Sequence, residues 1–235
     1  MNPMSDSLPS SGSSVLQRQE TLARIATCRE KLEIPIRDEA GAEIGRLCPV
    51  TTAHLQAGDI LESMSRWRNQ YRAFFLTQFP ATPERTRRWL ERVVLPNPAQ
   101  LLFLIYSGGP LIGQYGFKEF NGSSAFVDNL LRGERGGHPL VMRHAVVSLV
   151  NWLFDVLQVE QAYGYVFADN AMSLKLHRDV GFAFAEKLPL RKQADGEEIR
   201  WVVGQAGETS PDNRYYQKVV ATHRLAGGRP VDPGR

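Results

Sequence analysis

Only two cysteines occur, Cys28 and Cys48. They lie far apart and outside any CxxC, so neither a disulfide framework nor a thiolate metal site is expected. The five histidines show no HxxxH or clustered Cys/His spacing, and no metal is expected. No apolar run approaches the roughly 18 residues that a membrane span needs. Residues 1–14 are rich in Ser and Pro without the apolar core of a leader, so the reading is a cytoplasmic protein that does not insert into a membrane. A block of one charge is also missing: 28 Lys and Arg are interleaved with 25 Asp and Glu for a net charge of +3, which argues against nucleic acid as a partner. A few well-placed cations can still make a local anion pocket. What is present is a 43% hydrophobic fraction in 235 residues, ordinary for one globular domain with appended tails.

The pattern divides the chain into three parts. Residues 1–32 read as a disordered segment and an accessory helix with Leu16, Leu22, Ile25 and Leu32 on its stripe. Residues 33–204 read as the main domain, and 205–235 as a short helix around Arg214 to Leu225 followed by a flexible tail. Within the unit, Ile44 to Val50 predicts a strand and Ala57 to Arg68 a helix. Thr82 and Pro83 predict the cap and first turn of a second helix running to about Val94. Leu101–Tyr106 and Leu111–Phe120 read as a hairpin, and Ser124–Arg132 as a third strand. Val141, Ala145, Leu149 and Trp152 mark a long helix. Gln161–Ala168 reads as a strand, with Asp169 capping a helix that Gly181 ends. Strands over Phe182–Leu190 and Ile199–Val203 follow. The fold class is therefore α/β (α+β): a mixed, mostly antiparallel sheet of about six to seven strands covered by helices.

Glycines 133, 136 and 137 stand between the strand ending at Arg132 and the long helix. Backbone amides there and at the helix N-terminus suit a phosphate, with Arg132 and Arg135 as charged donors; the plainer reading is a flexible turn.

The run Asp169-Asn170-Ala171-Met172-Ser173-Leu174-Lys175-Leu176-His177-Arg178-Asp179-Val180-Gly181-Phe182 resembles the signature of the GNAT acyltransferase superfamily. Further resemblance lies in Asn151-Trp152-Leu153-Phe154, Trp67-Arg68-Asn69, Thr82-Pro83-Glu84, Ile112-Gly113-Gln114-Tyr115-Gly116 and Asp128-Asn129-Leu130-Leu131-Arg132-Gly133. These are similar to RimJ/RimL-type enzymes and to the branch associated with polysaccharide biosynthesis. The implied activity is transfer of an acyl group, most often acetyl, from coenzyme A to a small-molecule amine, here one on a nucleotide-linked amino sugar. The rivals are a protein N-terminal or aminoacyl acetyltransferase and a non-catalytic acyl-CoA-binding module; a homodimer is left open.

The resemblance implies that acetyl-CoA is held by Leu130, Arg132, Arg135, Gly136, Gly137, His138, Val141, Asn170 and Ser173. The segment Gly137-His138-Pro139-Leu140-Val141-Met142 departs from the usual Gln/Arg-x-x-Gly-x-Gly/Ala loop. His177 stands in for the usual tyrosine acid. Asp128 is the candidate acceptor of the amine proton, with Glu134 as an alternative base. Arg68, Asn69 and Asn129 are assigned to the acceptor side. Each has a structural alternative: helix capping for Asn170, a back-bond for Ser173, a surface ion pair for Arg68 and a buried polar pair for Asp128 and Asn129.

Overall fold

A computed structural model describes residues 14–226; all of the segment read as disordered, 1–14, except Ser14, and the end of the tail read as flexible, 227–235, lie outside the described residues. Ten strands form one sheet. They are β1 (Ile34–Arg37), β2 (Glu43–Pro49), β3 (Thr77–Gln78), β4 (Leu101–Tyr106), β5 (Leu111–Lys118), β6 (Ser124–Arg132), β7 (Gln161–Phe167), β8 (Ala183–Asp195), β9 (Glu198–Val203) and β10 (Arg214–Ala221). Their spatial order is β1-β2-β4-β5-β6-β7-β10-β8-β9-β3, and every neighbouring pair is antiparallel except β6 with β7. The helices are α1 (Val15–Ala26), α2 (Gly58–Gln70), α3 (Pro83–Trp89), α4 (Val141–Asp155) and α5 (Ala171–Val180). Among the described residues no helix is long and apolar enough to cross a membrane.

Local chemistry sets the helix ends. Thr82 accepts from the Arg85 amide at 3.2 Å with Pro83 in the first turn of α3. Gly181 takes the left-handed conformation, φ 106°, that ends α5. Ser14 and Gln17 form a reciprocal cap on α1, which is more than an accessory, because Leu22 and Ile25 sit in the main core. β4 and β5 are buried on both faces, and Trp152 of α4 packs across Phe103 and Phe117 with centroids 6.3 and 6.1 Å away.

Three expectations are corrected. The segment Arg214–Ala221 is a strand paired on both edges, with β7 and with β8, so the sheet does not close at residue 204. Tyr215, Val219 and Val220 fit a helical stripe as well as a strand, and only the open edges of β7 and β8 decide between them. The sheet has ten strands rather than six or seven, because β1 pairs with β2 and the two-residue β3 adds to β9. Asp169 does not cap α5: Asn170 does, accepting from the Ser173 amide at 3.1 Å.

Candidate active site

The parallel pair β6–β7 is joined at three positions, Ser124–Gln161, Ala125–Ala162 and Phe126–Tyr163. Beyond them the strands part. β6 carries a bulge here, with Asn129 and Leu130 opposite Tyr115, and Asn129 adopts φ 59°. The gap opens into a cavity of about 1380 Å³ that reaches Asn170, Ser173 and His177 of the α5 region and also Asp128, Tyr165 and Tyr216.

On one side lies the loop between β6 and α4. Trp67, fully buried, lies against Gly133 so closely that an added Cβ would sit 1.9 Å from its ring; only glycine fits there. The amides of Gly133 and Glu134 donate to Ile112 O, both at 2.9 Å, that of His138 to Ser107 Oγ at 2.9 Å, and that of Val141 to His138 O at 3.0 Å. Arg135, Gly136, Gly137, Met142 and Arg143 keep backbone donors without a protein acceptor among the described residues. Among the described residues no side chain caps α4. This donor set fits a diphosphate. It also corrects the assignments: the Val141 amide and the His138 amide are already bonded, and Val141 is a core residue. Gly137 and His138 open onto a separate cleft beside Tyr106 and Ser107. Arg132 lines the cavity, but its guanidinium braces the loop through Gly136 O at 2.7 Å and Glu134 O at 3.3 Å. Arg135 is exposed.

Glu134 is corrected as a base. Its carboxylate accepts from Trp67 Nε1 at 2.8 Å and pairs with Arg66, and these bonds hold its pKa below the usual carboxylate range. It does not line the cavity. Asn69 is corrected as a substrate ligand, since its amide exchanges two 2.8 Å bonds with the backbone of Ala81. Arg68, Asn129 and Leu130 do line the cavity.

His177 is buried and edge-on to Phe182. Burial pushes its pKa down, offset in part by the Ser173 carbonyl. Its Nδ1 donates to that carbonyl at 2.7 Å, which fixes the tautomer and leaves Nε2 as a lone-pair acceptor. In the neutral form the only N–H is committed within the helix, so a proton passed to a leaving thiolate would have to be carried at Nε2.

On the opposite side Asp128 forms an ion pair with Lys118 at 2.8 Å and accepts from the Asn129 amide at 2.8 Å. Aromatic rings line the same cavity. Tyr165 stacks on Tyr216 at 5.8 Å, Phe126 lies 5.8 Å from Tyr165, and Phe167 meets Tyr216 edge-on at 4.5 Å. The phenols of Tyr115 and Tyr216 are both pushed well up, chiefly by burial and secondarily by the Asp128 charge. Tyr115 Oη is buried without a partner among the described residues. None of these aromatics entered the sequence reading of the site. Alternation in Gln161–Phe167 was the one available signal for Tyr165, whereas Tyr216 sat in a segment read as helix.

Two parallel strands that part beside the uncapped start of α4 leave an opening in the sheet next to free backbone donors. The family description "Acetyltransferase (GNAT) domain" fits residues 46–183, more than half of the 235-residue chain. Solved structures with the same fold include a RimL ribosomal L7/L12 α-N-protein acetyltransferase with coenzyme A, at 14% identity and TM-score 0.57, covering 81% of this chain and 98% of that one. A spermidine N-acetyltransferase from Vibrio cholerae with CoA and spermine gives 14% identity and TM-score 0.56, covering 77% and 95%. A probable GNAT-family acetyltransferase from Chromobacterium violaceum gives 14% identity and TM-score 0.58, covering 94% and 97%. Comparison with curated proteins by sequence gives no match. The chain belongs to the GNAT acetyltransferase family and is an N-acetyltransferase.

Proposed function

We propose that this enzyme transfers an acetyl group from acetyl-CoA directly to a primary amine, with the thioester in the gap between β6 and β7. The observation that carries the reading is the end of pairing at Phe126–Tyr163, which leaves the β6 edge from Val127 onward open to a cavity shared by Asn170 and Asp128. Strand amides on such an edge polarise a carbonyl as negative charge develops on its oxygen. The unbonded amides of Gly136, Met142 and Arg143 support a diphosphate site, and two enzymes of the same fold were solved with coenzyme A. Asn170 and Ser173 border the same cavity.

Asp128 receives the proton lost by the attacking amine, and Lys118 holds the carboxylate in place. Neither Cys28 nor Cys48 lines the cavity, in keeping with direct attack in a site that holds both reactants together. The aromatic floor of Phe126, Tyr165 and Tyr216 gives an apolar face on which a sugar ring or base stacks, which supports a nucleotide-linked amino sugar as acceptor. Calorimetry with acetyl-CoA followed by thiol release across a panel of amines tests the assignment. Asp128→Asn should lower turnover by about 10²–10⁴ with acetyl-CoA affinity retained. Wild-type protein that does not bind acetyl-CoA would overturn it.

A further inference from the structure

Resting on that reading, we infer that the acceptor is dipolar, an amine that also carries a carboxylate or phosphate, and that Arg68 selects for this anion. Arg68 ends α2 at the cavity wall, half-buried, with its guanidinium 4.0 Å over the Phe75 ring and 4.7 Å from that of Phe79. The stacking fixes its plane. One donor is spent on Thr77 O at 2.9 Å. Among the described residues no carboxylate comes within ion-pair distance of Arg68, whereas Arg66 has Glu134, Arg85 has Glu198 and Arg214 has Asp169. Asp128 faces the same cavity but bonds Lys118 instead.

A guanidinium out of full water contact and left with unused donors is matched by an oxyanion, which its planar fork binds in a bidentate way. Burial pushes the Arg68 pKa down, the Asp128 charge offsets this in part and Arg85 adds to it, so an anion bound directly at the guanidinium relieves the burial and the Arg85 repulsion. The cavity thus keeps a cation and an anion apart, and an acceptor with its amine at Asp128 and its anion at Arg68 completes both. A polyamine completes only Asp128 and meets Arg68, Arg85 and Lys118 with like charge.

The test uses matched pairs on the full chain with acetyl-CoA: glucosamine 6-phosphate against glucosamine, and an α-amino acid against its amide, each read by calorimetry and by thiol release, with spermidine alongside. The expected result is a KM or Kd at least about tenfold lower for the charged member of one pair, worth about 1.4 kcal/mol. Which pair responds separates a phosphate from a carboxylate. Arg68→Gln should remove that preference, and Arg68→Lys should keep part of it. Equal binding of both members in both pairs, or a preference for spermidine, overturns the inference. Charge-selective binding with no thiol release from any amine would uphold the anion site and defeat the transferase reading instead.

Discussion

Arg214 and Asp169 form an ion pair, Nε to Oδ2 at 3.1 Å, that fastens the strand β10 to the turn preceding α5. The same guanidinium donates to Ala73 O at 2.8 Å and lies over Phe167 at 4.1 Å and Trp201 at 4.7 Å. One side chain therefore joins the segment leading to Asn170 with the loop that carries Phe74 and Phe75 along the cavity wall.

Replacing Arg214 by Ala should cost roughly 1–3 kcal/mol, since charged hydrogen bonds and buried stacking are lost together. Asp169→Ala should cost less, because that side chain is 54% exposed and solvent screens its pair. Chemical denaturation of both single variants and the double variant measures the coupling. The KM for acetyl-CoA and for the acceptor should both rise in Arg214→Ala.

Asn170 has two separable duties. Its side chain caps α5 and also borders the cavity. Asn170→Ala should lose about 1 kcal/mol of stability, whereas Asn170→Ser should keep most of it. If the amide touches the acyl donor, both variants should bind acetyl-CoA more weakly by calorimetry. Wild-type affinity in the destabilised Ala variant would leave Asn170 as a cap alone.

His177 should make stability depend on pH. Burial lowers its folded-state pKa below the ordinary value of about 6.5, so the unfolded chain takes up a proton that the folded chain refuses. Its stability contribution is full above that value, falls as pH drops through it, and levels off below the folded pKa. His54 and His144, also lowered chiefly by burial, act in the same direction. His177→Phe should flatten part of the loss in denaturation midpoint between about pH 7 and pH 5. An unchanged slope would mean that the imidazole titrates normally.

The parts legible in the sequence were those fixed by near neighbours. Thr82 and Pro83 start α3, Gly181 ends α5, and the strand Ser124–Arg132 was read with its observed ends, because caps, turns and apolar periods act over one or two helical turns. Candidate residues were read unevenly. Arg68, Asp128, Asn170 and His177 were found by pattern and do line one cavity, while Glu134 and Asn69 carry the same chemistry and are spent on Trp67, Arg66 and Ala81.

The sequence by itself determined most of the helices to within a few residues and pointed to the family to which the chain belongs. Tertiary structure alone decided that 214–221 is a strand and that Tyr115, Tyr165 and Tyr216 line one cavity with Asp128. Those outcomes depend on which sheet edges remain unpaired and which burial they offer. Such quantities belong to the assembled sheet, and no local run of residues contains them.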